Sequence, residues 1–460
     1  MSVRSPLGAT PQHGAYEVEA SRTARRVLIR DPVGALAIAG LLAGGLLIAL
    51  SAGSTDALLP LSVRPIPTWL AGPFGGAGIN LGGVGVMITL AAMFLFYVIA
   101  VHRSERLSPR TVLMCIAALV ALMLLAPPLL STDVFSYGAY GRMGTLYGAN
   151  PYLHGPYAIS MDPLYPFIGA KWVNTPSVYG PLFTAVSYVL APLSIAANVL
   201  AYKAIAALSS LAIVAFVWNA ARWRGVDPAK AAALVGLNPL LIIYGVGGAH
   251  NDLLMLAASV AGVYALVQRR NAAGGGMLAA GTWVKLTGAL LLPFALLGEP
   301  GKRLRGRREI VIGAVAVTVA VGLISAILFG TGPLHLPSTI AQNQRDGDWH
   351  SIPGFIVNVV GLPTVGHVVG IVLECVFAAV CVWLLIRVRR GQLDWLDGAA
   401  WATLAMLVTA GSLLPWYVAW LMPLAALSAD QRLRRTSLVL SGVILAIQLI
   451  GYIPHVGAPM

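Results

Sequence analysis

Asp133 stands directly after an apolar run at 111–130 and opens the stretch STDVFSYGAYGRMGTLYGANPYLHGP, followed downstream by NTPSVYGPL. Together these segments carry Tyr137, Tyr140, Arg142, Asn150, Tyr152 and Tyr179. If 132–147 is a helix lying along a membrane surface, Asp133, Tyr137 and Tyr140 fall at i, i+4 and i+7 on one face, with Thr132 as a possible cap. A carboxylate there could take a proton from a hydroxyl. It could equally be a helix N-terminal acid, with the tyrosines as an interfacial aromatic belt and Arg142 anchored to lipid headgroups.

Three further polar islands interrupt apolar sequence. The turn Gly247-Gly248-Ala249-His250-Asn251-Asp252 places a histidine and an acid where turn chemistry alone explains Gly, Asn and Asp. Lys285 lies inside the apolar stretch 274–297 with no acidic residue near it in sequence, so it must snorkel to an interface or meet an anion. The segment 342–350 reads QNQRDGDWH, and its Arg345, Trp349 and His350 suit a sugar and a phosphate, or simply a solvated loop. Pro415-Trp416-Tyr417 is either aromatic belt or sugar platform. Glu374 and Lys203 read as a structural pair within apolar runs, and Cys115, Cys375 and Cys381 as packing residues. No HExxH, CxxC or Gly-rich nucleotide loop is present, so neither a metal nor a nucleotide cofactor is expected.

The elements that carry these residues follow from composition. The chain has 460 residues, of which 58% are hydrophobic and 10% charged, with a mean hydropathy of +0.80. A soluble fold cannot cover that much apolar surface. Apolar runs of about 20 residues, rather than alternation, exclude a membrane β-barrel. The fold class is therefore all-α and polytopic.

Runs occur at about 33–51, 81–101, 111–130, 195–219, 229–247, 253–268, 274–297, 309–329, 366–386, 397–414, 416–428 and 436–453. With the N-terminus in the cytoplasm, 24 of the 30 basic residues fall in cytoplasmic segments and four outside, as the positive-inside rule requires. The net charge of +13 thus reflects topology, not nucleic-acid binding. Because the segments on both sides of 274–297 are basic, that run is expected to be a hairpin of two short helices turning near Thr282–Thr287. Counting it as two gives about 13 membrane helices with the C-terminus outside. The expected organisation is a disordered cytoplasmic tail 1–31, a two-helix hairpin 32–110, and a catalytic region 111–460 with outer loops 131–193 and 330–365. Amphipathic helices are expected on the outer surface, including a second short one at 181–193.

An enzyme working outside the membrane has no nucleotide sugars, and a lipid-linked sugar phosphate is the usual substitute. Its phosphate is already a good leaving group, so no general acid is needed, unlike glycoside hydrolysis. One carboxylate must deprotonate the acceptor and one or two cations must hold the departing phosphate. Asp133 and Lys285, with Arg345 or His350, supply that set.

The segment LLSTDVFSYGAYGRMGTLYGANPYLHGP, the turn GGAHNDLLMLA, the stretch GTWVKLTGALLLP and the turn LLPWYVAWLMPL resemble the GT-C glycosyltransferases. Within them they resemble the actinobacterial polyprenol-phosphomannose-dependent α-1,6-mannosyltransferases of lipomannan and lipoarabinomannan assembly. The resemblance covers most of the chain from about residue 111. It implies a GT-C helical bundle and Asp133 as catalytic base. It also implies inverting transfer from polyprenyl-phosphate mannose to a growing mannan on a phosphatidylinositol mannoside, without a metal. Tyr137, Tyr140, Arg142, Asn150, Tyr152, Tyr179, His250, Asn251, Asp252, Lys285, Arg345, Trp349, His350, Trp416 and Tyr417 are the candidate substrate-binding residues. Another sugar or a protein acceptor is the nearest alternative. A transporter is the other, though it leaves unexplained why polar residues crowd one side of the membrane.

Overall fold

The computed structural model describes residues 31–345 and 347–452; the expectation of a disordered tail falls outside them, apart from Asp31. Among the described residues there are helices and no strands. In order they are α1 Pro32–Ser51, α2 Gly82–Arg103, α3 Pro109–Leu125, α4 Asp133–Tyr147, α5 Pro181–Leu190, α6 Ile195–Arg224, α7 Pro228–Gly236, α8 Asp252–Val267 and α9 Asn271–Val284. They continue as α10 Leu291–Leu297, α11 Leu304–Phe329, α12 Leu336–Arg345, α13 Ile352–Asn358, α14 Pro363–Arg389, α15 Trp395–Thr409, α16 Val418–Leu427 and α17 Gln431–Ile450.

Local sequence explains where these helices begin. Ser108, Ser194, Asp227, Asp394 and Asp430 each accept a hydrogen bond from a backbone N–H in the first turn of the helix that follows. Proline sits in the first turn of α1, α3, α5, α7, α13 and α14, where its missing N–H costs nothing.

Six helices, α1, α2, α6, α11, α14 and α17, are long and apolar enough to cross a membrane. A seventh crossing is made if α7 and the wide-turned helix Leu240–Val246 count together. Those two are bent by 52°, because Pro239 interrupts the backbone ladder and the Asn238 side chain takes the Leu240 N–H instead. The other apolar runs form helices of 10–17 residues, short of the ~20 that a straight crossing needs. The expected number of 13 is reached only by counting these short helices as crossings. Helix α11 leaves Leu323 and Ile327 exposed, and α14 leaves Ile371 and Val372 exposed. Such apolar faces suit a membrane-embedded helical protein, in which lipid covers them.

Ion pairs tie the basic segments together at one end of the molecule. Lys230 pairs with Glu105 at 2.7 Å, and Arg224 pairs with Asp394 at 3.0 Å and donates to the Leu427 carbonyl. The segment 274–297 is broken where expected. Arg269, ahead of α9, pairs with Glu299, beyond α10, at 2.8 Å. Asn271 donates to Glu309. Gly288 lies so close to Gly281 and Thr282 that a β-carbon on it would come within 2.9–3.1 Å of their backbone. The chain therefore enters and leaves at the basic end. It turns at Lys285, whose extended backbone (φ −151°, ψ 128°) ends α9.

Two expectations are corrected. Helix α4 is not a surface helix with a wet face: Val134 through Gly141 are all buried. Gly141 explains this, since a β-carbon there would overlap the Ser187 carbonyl oxygen of α5. Glycine lets α4 sink against α5 and α6 until the two backbones touch. Nor does Lys203 pair with Glu374. Lys203 is buried and donates to the carbonyls of Pro127 and Gly247, each at 3.1 Å, while Glu374 is exposed on α14.

Candidate active site

At the end of the bundle opposite the basic segments, side chains from four distant stretches converge. The first is the start of α4. Ser131 Oγ accepts the Asp133 backbone N–H, and Thr132 makes no side-chain cap. The Asp133 side chain keeps 13% of its surface exposed. The second is the turn before α8, pressed against the approach to α4: Leu129 donates to the Gly247 carbonyl, which also accepts from Lys203. This brings His250 Nδ1 to 3.3 Å from Asp133 Oδ2.

The third is the turn at Lys285. Its Nζ lies 2.8 Å from Asp252 Oδ1, which supplies the anion that the local sequence lacks. The fourth is the segment around Pro415. The Trp416 ring stacks on His250 at 3.4 Å between centroids. Tyr417 and Trp420 stack on each other at 4.1 Å, and both present a face to the Lys285 ammonium, at 4.9 and 5.3 Å. Trp420 Nε1 also donates to Asp252 Oδ1 at 2.8 Å. Asp252 is thus buried but doubly partnered, as a buried carboxylate must be. Tyr137 lies beneath, its hydroxyl accepting the Asn251 N–H at 3.3 Å.

The arrangement gives one acid with water access, Asp133, and one cation braced by an acid and two aromatic faces, Lys285. Such a set can accept a proton and face an anion. Among the described residues, no three His, Cys, Asp or Glu side chains come together as a metal site would require.

The other candidate residues surround this centre. Tyr140 donates to the Thr175 carbonyl, and Tyr179 packs edge-on against Tyr137. Burial, and then the Asp133 charge, hold both phenols well above their ordinary range, so they stay protonated. Tyr152 donates to the Tyr179 carbonyl and contacts Thr184, and Asn150 donates to the Phe329 carbonyl. Arg142 is held by the fully buried Asp162 carboxylate at 2.9 Å, away from the converging groups. These residues are committed to fixing the loop over α4.

Arg345 is exposed at the end of α12. Trp349 and His350 pack on each other at 4.0 Å, and His350 Nδ1 lies 2.5 Å from Asp348. This segment rests on the 411–417 stretch through Asp348 N–H and Ser351 Oγ, both bonded to the Gly411 carbonyl. Asp348 is close enough for its charge to act on Tyr417.

Sequence reasoning missed Trp420, Asp348 and the role of Lys203. Trp420 had a signal: it follows Trp416 and Tyr417 at helical spacing, i+4 and i+3.

The chain was compared with known proteins. A family model described as "Alpha-(1->6)-mannopyranosyltransferase, N-terminal domain" matches residues 34–298, and one described as "MptB C-terminal domain" matches 352–450. Alpha-(1->6)-mannopyranosyltransferase A of Mycobacterium tuberculosis is 30% identical over 387 residues, covering 78% of this chain and 72% of that protein. Alpha-(1->6)-mannopyranosyltransferase B of Corynebacterium glutamicum is 26% identical, covering 92% of this chain and 79% of that protein. No solved structure matches the chain.

Proposed function

The chain belongs to the α-(1→6)-mannopyranosyltransferase family and is a glycosyltransferase, and from that premise we propose which lipid-borne sugar it moves and how. The donor is polyprenyl-phosphate mannose. The acceptor is the growing α-1,6-mannan on a phosphatidylinositol mannoside lipid. Transfer occurs on the extracytoplasmic face, with the N-terminus in the cytoplasm and the C-terminus outside. The clustering of 24 of the 30 basic residues in alternate segments of the sequence supports that orientation.

The observation that supports this reading is that Asp133 contacts His250 of the same turn whose Asp252 pairs with Lys285. Asp133 takes the acceptor hydroxyl's proton as the oxygen attacks the anomeric carbon from the face opposite the phosphate. The bond from that carbon to the phosphate oxygen breaks, and its electron pair stays on the phosphate. The departing group gains negative charge, and Lys285 faces it in a site of low dielectric, where such stabilisation counts most. Asp252, Tyr417 and Trp420 keep the ammonium in place, so little reorganisation is needed as charge develops. Tyr417, edge-on to the buried Trp416 and stacked on the buried Trp420, is the partly exposed ring of the three and offers apolar surface to a sugar. No metal takes part in this scheme, because the departing polyprenyl phosphate, a phosphate monoester, is already a good leaving group.

The test is to incubate purified protein with radiolabelled polyprenyl-phosphate mannose and an α-mannoside acceptor, with and without chelator. An α-1,6-linked product at the same rate in both is expected. Transfer from another lipid-linked sugar only, or loss of transfer with chelator, would replace this reading.

A further inference from the structure

His250 is an odd residue to find where it is. Its ring is 1% exposed, and neither nitrogen has a hydrogen-bond partner among the described residues. A buried polar group left so costs stability and is kept for a reason. The ring is also locked. Trp416 covers one face in a near-parallel stack, with 16° between the planes. On the turn itself, a β-carbon on Gly248 would stand 2.8 Å from Nε2, so glycine leaves room for the ring. Among the described residues the acceptor nearest to it is Asp133, 3.3 Å from Nδ1. In resting enzymes such contacts are often long and tighten when substrate arrives.

Asp133 needs such a partner. Its backbone is fixed by Ser131, but among the described residues no hydrogen bond holds its carboxylate. A freely rotating carboxylate presents either oxygen at any angle, and positioning is a large part of base catalysis.

We propose that His250 is the positioning residue of the transfer reaction: its Nδ1–H holds Oδ2 of Asp133 and turns the other carboxylate oxygen toward the acceptor hydroxyl. The inference rests on Asp133 being the base. In the step, the acceptor oxygen bonds to the anomeric carbon and the carbon–phosphate-oxygen bond breaks toward phosphate. The acceptor proton passes to the free oxygen of Asp133 and leaves to water between turnovers. His250 exchanges no proton with the substrate.

Two substitutions separate the donor from the ring. His250→Asn keeps an N–H near the place of Nδ1 but does not stack. His250→Phe keeps the stack on Trp416 and loses the donor. The measurement is kcat and donor KM, with thermal midpoints for each variant and with Asp133→Asn alongside. His250→Phe is expected to lose about 10- to 100-fold in kcat, the worth of a hydrogen bond to a charged group, with donor KM within about twofold. His250→Asn, which still offers an N–H to Asp133, is expected to keep most of the rate. A fully active His250→Phe, or a His250→Asn that loses as much kcat as His250→Phe, overturns the proposal. So does a rise in donor KM as the main effect. Failure of the underlying reading looks different: there Asp133→Asn itself stays active.

Discussion

Asn in place of Asp133 keeps the side chain's size and its place at the head of α4, but it cannot take a proton. Asp133→Asn should insert and melt like wild type while transfer falls by about 10²–10⁴, the contribution of a general base. If Asp133 served only the helix terminus, activity would survive, since Asn serves there about as well as Asp; transfer assays on a normally expressed variant decide between the two. Lys285 has a double role, and its removal should show both. Lys285→Ala is expected to lower turnover by ~10²–10³ through lost stabilisation of the leaving phosphate. It also leaves the buried Asp252 without its cation, a loss of about 3–5 kcal/mol in folding stability. Adding Asp252→Asn should recover much of the thermal midpoint and none of the rate. Near-normal turnover in a well-folded Lys285→Ala protein would take Lys285 out of the phosphate site.

Helices position these residues by close approach as much as by span. Helix α4 is buried because glycines let it press on α5, and that contact fixes where Asp133 stands. Gly141→Ala would drive a β-carbon into the Ser187 carbonyl, which is backbone and cannot swing aside. An overpacking cost of about 1–3 kcal/mol is expected, read as a lower melting temperature together with weaker transfer. The control is Gly322→Ala on α11, where a β-carbon meets nothing within 4 Å; it should be tolerated in both measurements. Lys203 works at the same scale. By bonding the carbonyls of Pro127 and Gly247 it clips the stretch leading to Asp133 onto the turn that bears His250 and Asp252.

For the whole molecule, the basic end and the site end are held apart by the bundle, and the hairpin at Lys285 reaches from one to the other. In a cysteine-free background, a cysteine at Lys302, exposed between the hairpin and α11, should react with an impermeant reagent only from the cytoplasm. One at Ser338, on α12, should react from outside. Cytoplasmic reaction at Ser338 would reverse the assigned orientation, and with it the side on which donor and acceptor meet.

The sequence alone determined the class, the sidedness pattern and most of the centre. Apolar runs of membrane length admit only helices, since backbone groups in lipid must bond within their own segment. Basic residues on both sides of 274–297 were enough to foresee a turn at Lys285. Rare polar residues in so apolar a chain named Asp133, His250, Asp252, Lys285, Trp416 and Tyr417. Tertiary structure decided who pairs with whom. Lys285 finds Asp252 across 33 positions, and Asp252 meets Trp420 across 168, distances over which periodicity carries no information. It also decided burial. A helix rich in tyrosine and glycine reads as a wet interfacial helix from its pattern, yet its glycines are there for contact with α5, and only the presence of that neighbour shows which meaning applies. Arg142 was drawn away from the centre for the same reason: Asp162, invisible as its partner in the sequence, lies buried beside it and needs a cation.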